Sequence, residues 1–514
     1  MSTVHHQQLY RPAQSQAIDR YLIEHHQLSG YRLMEQAAEA AYASLQRLWP
    51  RQRHVAVFCG AGNNGGDGWV LARLAWADDY QVKVYSLCDP EQLTGDAAQA
   101  AQDYLAMDGA WCRYEIDLED DDLPQAQVLV DALLGTGLAG PPRELFAHAI
   151  EWINGSQKPV LALDIPSGLN GETGFAYSPT VQASHTVSFI VQKQGLYTGD
   201  AAAVAGSIEL ARLVEKLPTG HGQNMTGLLL DTESVNEHLP RRLPTCHKGQ
   251  AGHVLVVGGA QGMPGSVLMA GHAALRSGAG LVSVLTAADH AAVVSVYRPE
   301  LMIHGWHQEQ AIPAALQARC DVVVMGPGLG QDSWSRALFE HFICSTQPLV
   351  LDADALNLLA DACNVAAWPA VRDRRWILTP HPGEAARLLG VSTAEIQADR
   401  IRAAQELAQR YHAVVILKGA GTIIAQPNGP FAIAPKALAA MATAGMGDVL
   451  SGLLGAIVGQ QLKGDAGSSV KTTDWHTSCA AVWLHLLAGE QAAQNRSRGV
   501  LATDLLEHLP DLFP

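Results

Sequence analysis

A glycine-rich stretch near the carboxyl end carries an acid at a position where it could act on a bound phosphate. The sequence Thr443-Ala-Gly-Met-Gly-Asp448 runs directly into an apolar segment. Glycines at a helix start let backbone N–H groups meet an anion, and the helix dipole adds positive potential there. An aspartate beside such a phosphate is well placed to take a proton from an attacking hydroxyl. A glycine turn followed by an ordinary helix-start acid is the alternative interpretation.

A loop that begins with a lysine precedes that stretch in the sequence. Lys418 ends an apolar segment and is followed by Gly-Ala-Gly-Thr422, which places an ammonium group beside backbone donors. Nucleotide phosphates are held by such groups in chains without a P-loop, and no P-loop sequence occurs here. His381, within Thr-Pro-His-Pro-Gly-Glu, is compatible with a capping role as well as with ligand contact.

Polar residues of the first half follow three separate apolar segments. Gly60-Ala-Gly-Asn-Asn-Gly-Gly-Asp-Gly68 follows the first, Asp131 ends the second, and Asp164 with Ser167 ends the third. Carboxyl ends of parallel strands meet at one edge of a sheet, so we expect these side chains to converge. Their oxygens suit a hard cation. Residues 60–65 also fit G-x-G-x-x-G, which leaves a dinucleotide-binding dehydrogenase open.

The elements that position these residues alternate between β and α patterns. Strands are predicted at 54–58, 81–87, 127–131, 160–164 and 185–191 in the first half, and at 253–257, 281–285, 321–325, 348–352, 376–378 and 413–417 in the second. Helices are predicted at 10–26, 31–49 and 69–76, and the segment 304–307 is interpreted as loop. Proline-rich sequence without periodicity between 215 and 250 marks a linker. The pattern predicts two doubly wound α/β domains, at 1–218 and 226–514.

Composition limits the possible partners. The chain has 514 residues, 48% of them hydrophobic and 16% charged, and a formal net charge of −16. That charge argues against a nucleic-acid or anionic-membrane surface, and no segment has the length of a membrane span. The eight cysteines are scattered without a Cys-x-x-Cys pair, a pattern typical of a reducing compartment. We therefore expect a cytoplasmic protein that binds neither nucleic acid nor membrane.

Three strings of the first half together resemble the NAD(P)H-hydrate epimerase family. They are G-x-G-N-N-G-G-D-G at 60–68, D-x-L-L-G-T-G-L at 131–138 and D-I-P-S-G-L at 164–169. The resemblance covers residues 10–215 and implies a Rossmann-like fold with Asp164 as the acid–base residue. Lys193 is a second choice for that role and is interpreted as a surface or phosphate-proximal lysine.

The same resemblance implies a potassium ion and a set of substrate contacts. The implied ligands of K⁺ are Asn64, Asp131 and Ser167. The implied substrate-binding residues are Asn63, Asn64, Gly65, Gly66, Asp67, Gly135, Thr136, Gly137, Leu138, Ala139, Gly140, Pro141 and Asp164.

Four strings of the second half resemble the ADP-dependent NAD(P)H-hydrate dehydratases, a branch of the ribokinase-like superfamily. They are V-L-D-A-D-A-L-N at 350–357, T-P-H-P-G-E at 379–384, L-K-G-A-G-T at 417–422 and G-M-G-D-V-L-S-G at 445–452. The resemblance implies Asp448 as catalytic base and Mg²⁺ bound with ADP. The implied nucleotide contacts are Lys418, Gly419, Ala420, Gly421, Thr422 and Gly447. The implied substrate contacts are Ser266, Gly328, His381 and Asp448, with Ser266 standing where the family commonly has alanine.

Together the two resemblances imply repair of hydrated NADH and NADPH. The first domain would interconvert the R and S epimers at C6 of the hydrated nicotinamide. The second would dehydrate the S epimer with ADP and release AMP and phosphate. The implied partners are NADHX, NADPHX and ADP, and the implied assembly is a homo-oligomer. An NAD-dependent dehydrogenase, a sugar or vitamin kinase and a non-catalytic nucleotide sensor are the competing hypotheses.

Overall fold

The chain divides into two compact units, Met1–Gly227 and Leu228–Pro514. The structure is a computed structural model, and it describes residues 8–25, 28–117, 125–214, 225–361, 375–464 and 473–514. Within these ranges no helix is both long enough and apolar enough to cross a membrane.

The first unit alternates strands and helices. Its elements are β1 Gln8–Tyr10, α1 Pro12–His25, α2 Gly30–Leu48, β2 His54–Cys59, α3 Asn63–Ala77, β3 Gln81–Ser86, α4 Gly95–Leu105, β4 Ala110–Arg113, β5 Val128–Ala132, α5 Glu144–Gly155, β6 Val160–Leu163, β7 His185–Phe189, β8 Gln192–Lys193, α6 Ala201–Val204 and β9 Ser207–Ala211. Strands β5 and β6 are buried along their whole length, and their residues are apolar apart from Asp131.

A parallel sheet positions the polar residues of this unit. Seven strands among the described residues form it in the order β4-β3-β2-β5-β6-β7-β9. The chain moves outward from β2 towards one edge and from β5 towards the other. Loops that leave the carboxyl ends of such a central pair separate and open a ligand crevice. The predicted doubly wound sheet is confirmed.

The second unit repeats the alternation. Its elements, starting at the boundary, are β10 Gly227–Leu229, α7 Thr232–Asn236, β11 His253–Val257, α8 Pro264–Arg276, β12 Leu281–Ala287, α9 Ala291–Tyr297, β13 Met302–Trp306, α10 Ala314–Arg319, β14 Val322–Met325, α11 Ser333–Phe342, β15 Leu349–Leu351, α12 Ala353–Asp361, β16 Trp376–Leu378, α13 Pro382–Leu389, α14 Thr393–Ala398, α15 Arg400–Tyr411, β17 Val414–Leu417, β18 Thr422–Ala425, β19 Phe431–Ala434, α16 Met446–Gly464, α17 Asp474–Ala493 and α18 Ala502–His508.

The sheet of this unit has its central pair at β11 and β14. Its strands follow the order β13-β12-β11-β14-β15-β16-β17-β18-β19, parallel from β13 to β17 and antiparallel from β17 to β19. Helix α16 packs tightly on α8, where a Cβ at Gly452 would lie 2.0 Å from the Ala270 carbonyl oxygen. That contact anchors the helix whose first turn carries Asp448.

Some predicted element boundaries were wrong. Helix α3 begins at Asn63 instead of residue 69, so the glycine-rich string forms its first turns. The glycines there allow close packing, since a Cβ at Gly65 would lie 2.0 Å from the Gly60 carbonyl oxygen. The segment interpreted as loop at 304–307 belongs largely to β13, and the antiparallel strands β18 and β19 were not predicted. Short strands at sheet edges have too few residues for a clear alternation.

Candidate active sites

A buried cluster of oxygen atoms lies where β5 and the loop after β6 meet. Asp131 and Ser167 are both fully buried. Asp131 Oδ1 accepts a hydrogen bond of 2.6 Å from the Ser167 hydroxyl, and Asp131 Oδ2 accepts one of 2.8 Å from the Ser167 N–H. Burial raises the pKa of Asp131 to about 6, although these hydrogen bonds oppose the shift.

Asn64 completes this cluster from the first turn of α3. Its Nδ2 donates to the Leu134 carbonyl oxygen at 3.1 Å. Its Oδ1 is buried and has no hydrogen-bond partner among the described residues. A buried amide oxygen without a donor is costly, and a cation would satisfy it. The three residues predicted to hold K⁺ therefore come together and fit a hard, oxygen-liganded ion.

Asp164 stands at the end of β6 in a left-handed conformation, with φ +62°. Its Oδ1 accepts from the Phe189 N–H at 3.1 Å and from the Lys193 ammonium group. Lys193 is 1% exposed and also donates to the Phe189 carbonyl oxygen at 2.7 Å. The interpretation of Lys193 as a surface lysine was wrong, because its side chain is buried and its ammonium group pairs with Asp164.

Two further carboxyl groups face this ion pair. Asp67 in α3 is buried, and burial together with the Asp164 charge raises its pKa well above the usual range. Asp19 in α1 has its pKa raised to about 6 by burial, against the opposing effect of Lys193. Sequence patterns did not point to Asp19, because a single acid on an amphipathic helix carries no signal.

A cleft of about 760 Å³ opens over these groups. The predicted substrate-binding residues that line it are Asn63, Asn64, Asp67, Asp164 and all of 135–141. Gly65, Gly66, Asp131 and Ser167 are outside its lining. The two glycines serve close packing and the other two residues belong to the buried oxygen cluster.

An ion pair between buried Asp352 and partly exposed Lys418 lies at the centre of the second site. Lys418 Nζ lies 2.7 Å from Asp352 Oδ1, and the Ser451 hydroxyl donates to Asp352 Oδ2 at 2.8 Å. Burial disfavours the ionised form of Asp352, but Lys418 and the hydroxyl donors outweigh it and hold its pKa below the usual value. Sequence patterns found Lys418 and the Asp352 motif without showing that they contact each other.

Replacement of Lys418 by methionine is expected to lower the free energy of unfolding by about 3 kcal/mol. The change leaves Asp352 buried and ionised without its partner, which is the costly way to break a buried pair. Urea unfolding of the full chain measures it, with Asp352→Asn added as a second variant that should recover part of the loss.

The matched control is Lys436→Met. Its partner Glu490 lies 2.6 Å away in a pair whose two side chains are both 30% exposed or more. Such a pair contributes about 0–1 kcal/mol. Equal losses from the two lysine substitutions would contradict the assigned role of the buried pair.

Asp448 lies in the first turn of α16, close to this pair. Burial, and then the Asp352 charge, raises its pKa to about 7, although a hydrogen bond with Ser266 and the Lys418 charge oppose the shift. A Cβ on neighbouring Gly447 would lie 3.2 Å from Lys418 Nζ. The Asp448 carboxyl group, the Lys418 ammonium group and the first turn of α16 therefore lie close together.

Glycines bring the surrounding loops together. Gly445 has φ +89°, and a Cβ there would lie 2.6 Å from Met269 Sδ, so only glycine suits this helix start. Gly328 has φ +56°, and a Cβ there would lie 3.0 Å from Ser266 Cβ. The first turn of α8 and the loop after β14 thus meet close to Asp448, to which Ser266 is hydrogen-bonded.

His381 caps helix α13. Its Nδ1 accepts from the Gly383 N–H at 3.0 Å, and its Nε2 lies 3.3 Å from Glu384 Oε1. Burial, and then Lys418, lowers its pKa. Because half of the side chain is exposed, the capping role leaves a face available for ligand.

Arg400 holds the loop 418–422 through hydrogen bonds to its backbone. Sequence patterns did not point to this residue. It is 1% exposed, and its Nη2 donates to the carbonyl oxygens of Leu417 and Lys418 at 3.3 and 3.2 Å. Gly419 lets the backbone pass over this guanidinium, since a Cβ there would lie 2.9 Å from Arg400 Nη2. The conformation of 418–422 therefore depends on a residue outside the motif.

Two family models match the chain. The model described as NAD(P)H-hydrate dehydratase matches residues 254–511, and the model described as YjeF-related protein N-terminus matches residues 30–195. Together the two matches include the site residues described above, apart from Asp19.

Curated proteins resemble the chain over nearly its whole length. The bifunctional NAD(P)H-hydrate repair enzyme Nnr of Coxiella burnetii is 42% identical over 502 residues, which cover 98% of each chain. The Escherichia coli protein of the same name is 41% identical over 484 residues, 94% of this chain and 89% of that one. A solved ADP/ATP-dependent NAD(P)H-hydrate dehydratase from Bacillus subtilis is 29% identical, covers 55% of this chain and 96% of its own, and has a TM-score of 0.46.

Proposed function

The chain belongs to the family of bifunctional NAD(P)H-hydrate repair enzymes, and we propose that each of its two sites carries one step of that repair. The first step is epimerisation of hydrated NADH or NADPH, assigned to residues 1–218. The second is nucleotide-dependent dehydration, assigned to residues 226–514. The observation that carries the proposal is the position of Asp448 in the first turn of α16, beside Lys418 and with its pKa raised by burial.

In the first unit Asp164 is the acid–base residue that acts at C6 of the substrate. The Lys193 ammonium group and the Phe189 N–H hold its carboxylate in one orientation at the cleft. Asn63, Asp67 and the segment 135–141 supply the surrounding walls and donors. Substrate binding by Gly65 and Gly66 would be through their backbone, since neither can carry a side chain in this packing.

A potassium ion would be held by Asn64, Asp131 and Ser167. Asn64 and Ser167 both hydrogen-bond to the Leu134 backbone, and Ser167 hydrogen-bonds to Asp131. When bound, the ion would supply positive potential near the substrate and stiffen the loops after β5 and β6. The support for this assignment is the unpartnered Asn64 Oδ1 atom, which the ion would satisfy.

Potassium is therefore expected to stabilise the wild-type chain by about 1–3 kcal/mol at concentrations well above its dissociation constant. Asn64→Ala should lose this stabilisation, while Asn63→Ala keeps it. The measurement is the melting temperature in potassium chloride against choline chloride at equal ionic strength. An unchanged potassium response in Asn64→Ala would contradict the assigned ligand.

In the second unit Asp448 removes the proton from the C6 hydroxyl of the S epimer. The hydroxyl oxygen attacks the terminal phosphorus of ADP, and the bond to the bridging oxygen breaks with release of AMP. Phosphate then leaves C6 with its oxygen, and a proton lost from C5 completes the double bond of NAD(P)H. Lys418–Thr422 and Gly447 hold the nucleotide phosphates, and Ser266, Gly328 and His381 contact the substrate. Magnesium, which nucleotide phosphates carry, would offset their negative charge.

An epimer-resolved repair assay tests both assignments. Purified protein receives R or S hydrate with ADP or ATP, and the recovered absorbance of reduced nicotinamide is followed. We expect recovery from both epimers with ADP. Hydride transfer to a carbonyl would favour a dehydrogenase, and a stable phosphorylated product would favour a kinase. No recovery from either epimer would contradict the proposal.

The proposal also covers the oligomeric state and the cellular location of the protein. We infer a homo-oligomer, which light scattering tests, and a cytoplasmic location. The location is supported by the described cysteines, which form no disulfide bond with one another.

A further inference from the structure

Asp19 is an acid that lines the cleft of the first unit. It lies on α1 and lines the same cleft as Asp164, although it comes from a different element. Its Oδ1 atom is buried and has no hydrogen-bond partner among the residues that the structure describes. A buried carboxyl oxygen without a partner lowers stability. A ligand that binds in the cleft and contacts this oxygen would explain why it has no partner within the protein.

The charges around Asp19 distinguish it from Asp164. Asp164 is paired with Lys193, which lies within hydrogen-bond distance of its Oδ1 atom. Asp19 interacts with the charges of that pair without a hydrogen bond to either, and it also interacts with the charge of Asp67 in α3. Burial raises the pKa of Asp19 to about 6, so its protonated form is available near neutral pH. Two carboxyl groups in unlike environments are the usual arrangement for one acid and one base.

Epimerisation at C6 needs both an acid and a base. This carbon bears a hydroxyl and is bonded to the ring nitrogen, so its configuration inverts when the hydroxyl leaves and water returns on the opposite face. The departing oxygen must gain a proton, and the arriving water must lose one. A single carboxylate held by Lys193 supplies only the second of these transfers.

We propose that Asp19 is the second catalytic residue of the epimerase site and exchanges a proton with the C6 hydroxyl. Protonated Asp19 gives its proton to that oxygen, the C6–O bond breaks, and water leaves with the bonding pair. The lone pair of N1 forms an N1=C6 double bond. Water then attacks C6 from the opposite face, its proton passes to Asp164, and the π pair returns to N1.

This cycle balances without a further reactant. It ends with Asp19 ionised and Asp164 protonated, which is the state from which the opposite epimer reacts by the same steps in reverse. The active enzyme therefore carries one proton shared between the two carboxyl groups in either direction. The inference depends on the proposed epimerase function of the first unit.

The test compares Asp19→Asn with Glu24→Gln in the full chain. Glu24 is an exposed acid on the same helix and lies outside the cleft lining. Rates of R-to-S conversion are measured by separation of the epimers, with a protein-free sample for the spontaneous reaction. Asp19→Asn should lower kcat about 100-fold or more, whereas Glu24→Gln should match the wild type.

Two readouts separate catalysis from a structural role. Wild-type kcat/KM should fall as pH rises through about 6, where Asp19 loses its proton, and this fall should be absent from the residual activity of Asp19→Asn. In water labelled with heavy oxygen, the epimerised product should carry the solvent oxygen at C6. Dehydration of the S epimer by the same protein reports that the chain is folded.

Each contrary outcome has a distinct meaning. If the wild type fails to interconvert the epimers, the proposed epimerase function is wrong. If the wild type is active and Asp19→Asn retains its rate and pH profile, the role of Asp19 is wrong. Retention of the original oxygen in the epimerised product would overturn the C6–O cleavage step.

Discussion

Asp448→Asn should abolish dehydration of the S epimer, with kcat reduced on the order of 1,000-fold. The asparagine keeps the shape of the side chain but accepts no proton from the C6 hydroxyl. Wild-type dehydration should rise with pH through about 7, because Asp448 acts as a base only after it loses its proton. The measurement is the recovery of reduced-nicotinamide absorbance from pure S epimer with ADP, over a range of pH.

The same substitution should not destabilise the protein. An unfolded aspartate titrates at about 4, whereas Asp448 in the folded chain titrates at about 7. Ionised Asp448 therefore opposes folding above pH 7, and the wild type gains stability as pH falls from 7 towards 4. The variant lacks this penalty and should be at least as stable as the wild type at pH 8.

Epimerisation by the first unit is the internal control for Asp448→Asn, and it should be unchanged. Dehydration by this variant within a few-fold of the wild-type rate would contradict the role of Asp448 as the base. A loss of both activities together with a lower melting temperature would show that the substitution acts through folding.

Asp164→Asn should abolish conversion of the R epimer, lowering kcat by about 100-fold or more, while dehydration of the S epimer continues. The variant loses the carboxylate that Lys193 and the Phe189 N–H hold at the cleft. When it is supplied with a mixture of epimers, the variant should convert the S epimer to reduced nicotinamide. The R epimer should react only as fast as it epimerises spontaneously. Chromatographic separation of the remaining hydrate measures this directly.

A folding control is needed for Asp164→Asn, because Lys193 is left buried without its partner. Removal of one member of a buried pair costs about 3–5 kcal/mol. The double variant Asp164→Asn, Lys193→Met removes both charges and should regain stability without regaining epimerisation. Epimerisation of the R epimer by either variant at the wild-type rate would contradict the assignment.

Strand-end residues were predictable because parallel sheets obey a simple rule. Asp131, Asp164 and Ser167 each follow an apolar strand, and the carboxyl ends of parallel strands meet at one edge. The structure brings Asp131 and Ser167 within hydrogen-bond distance, as that rule requires. The glycines of 445–447 were likewise expected at a helix start, although their approach to Lys418 depends on packing between distant elements.

Residues that approach the sites from other elements could not be predicted. Lys193 follows Asp164 by 29 positions, and Arg400 precedes Lys418 by 18. The two members of each pair lie on or next to different secondary-structure elements, so no local pattern connects them. Asp19 resembles any acid on a surface helix until the fold turns that side of α1 towards the cleft.

Local sequence determined the class of each half, the strand-to-helix turns and most of the groups that face the ligands. These features depend on periodicity and on turn chemistry within about ten residues, which a single sequence displays. Only the tertiary structure decided which charges are paired and which are not. Burial and the distance between side chains set whether Asp164 pairs with Lys193, whether Asp448 titrates at about 7 and whether Asp19 Oδ1 has a hydrogen-bond partner. Both quantities come from long-range packing, so no segment of the chain carries them alone.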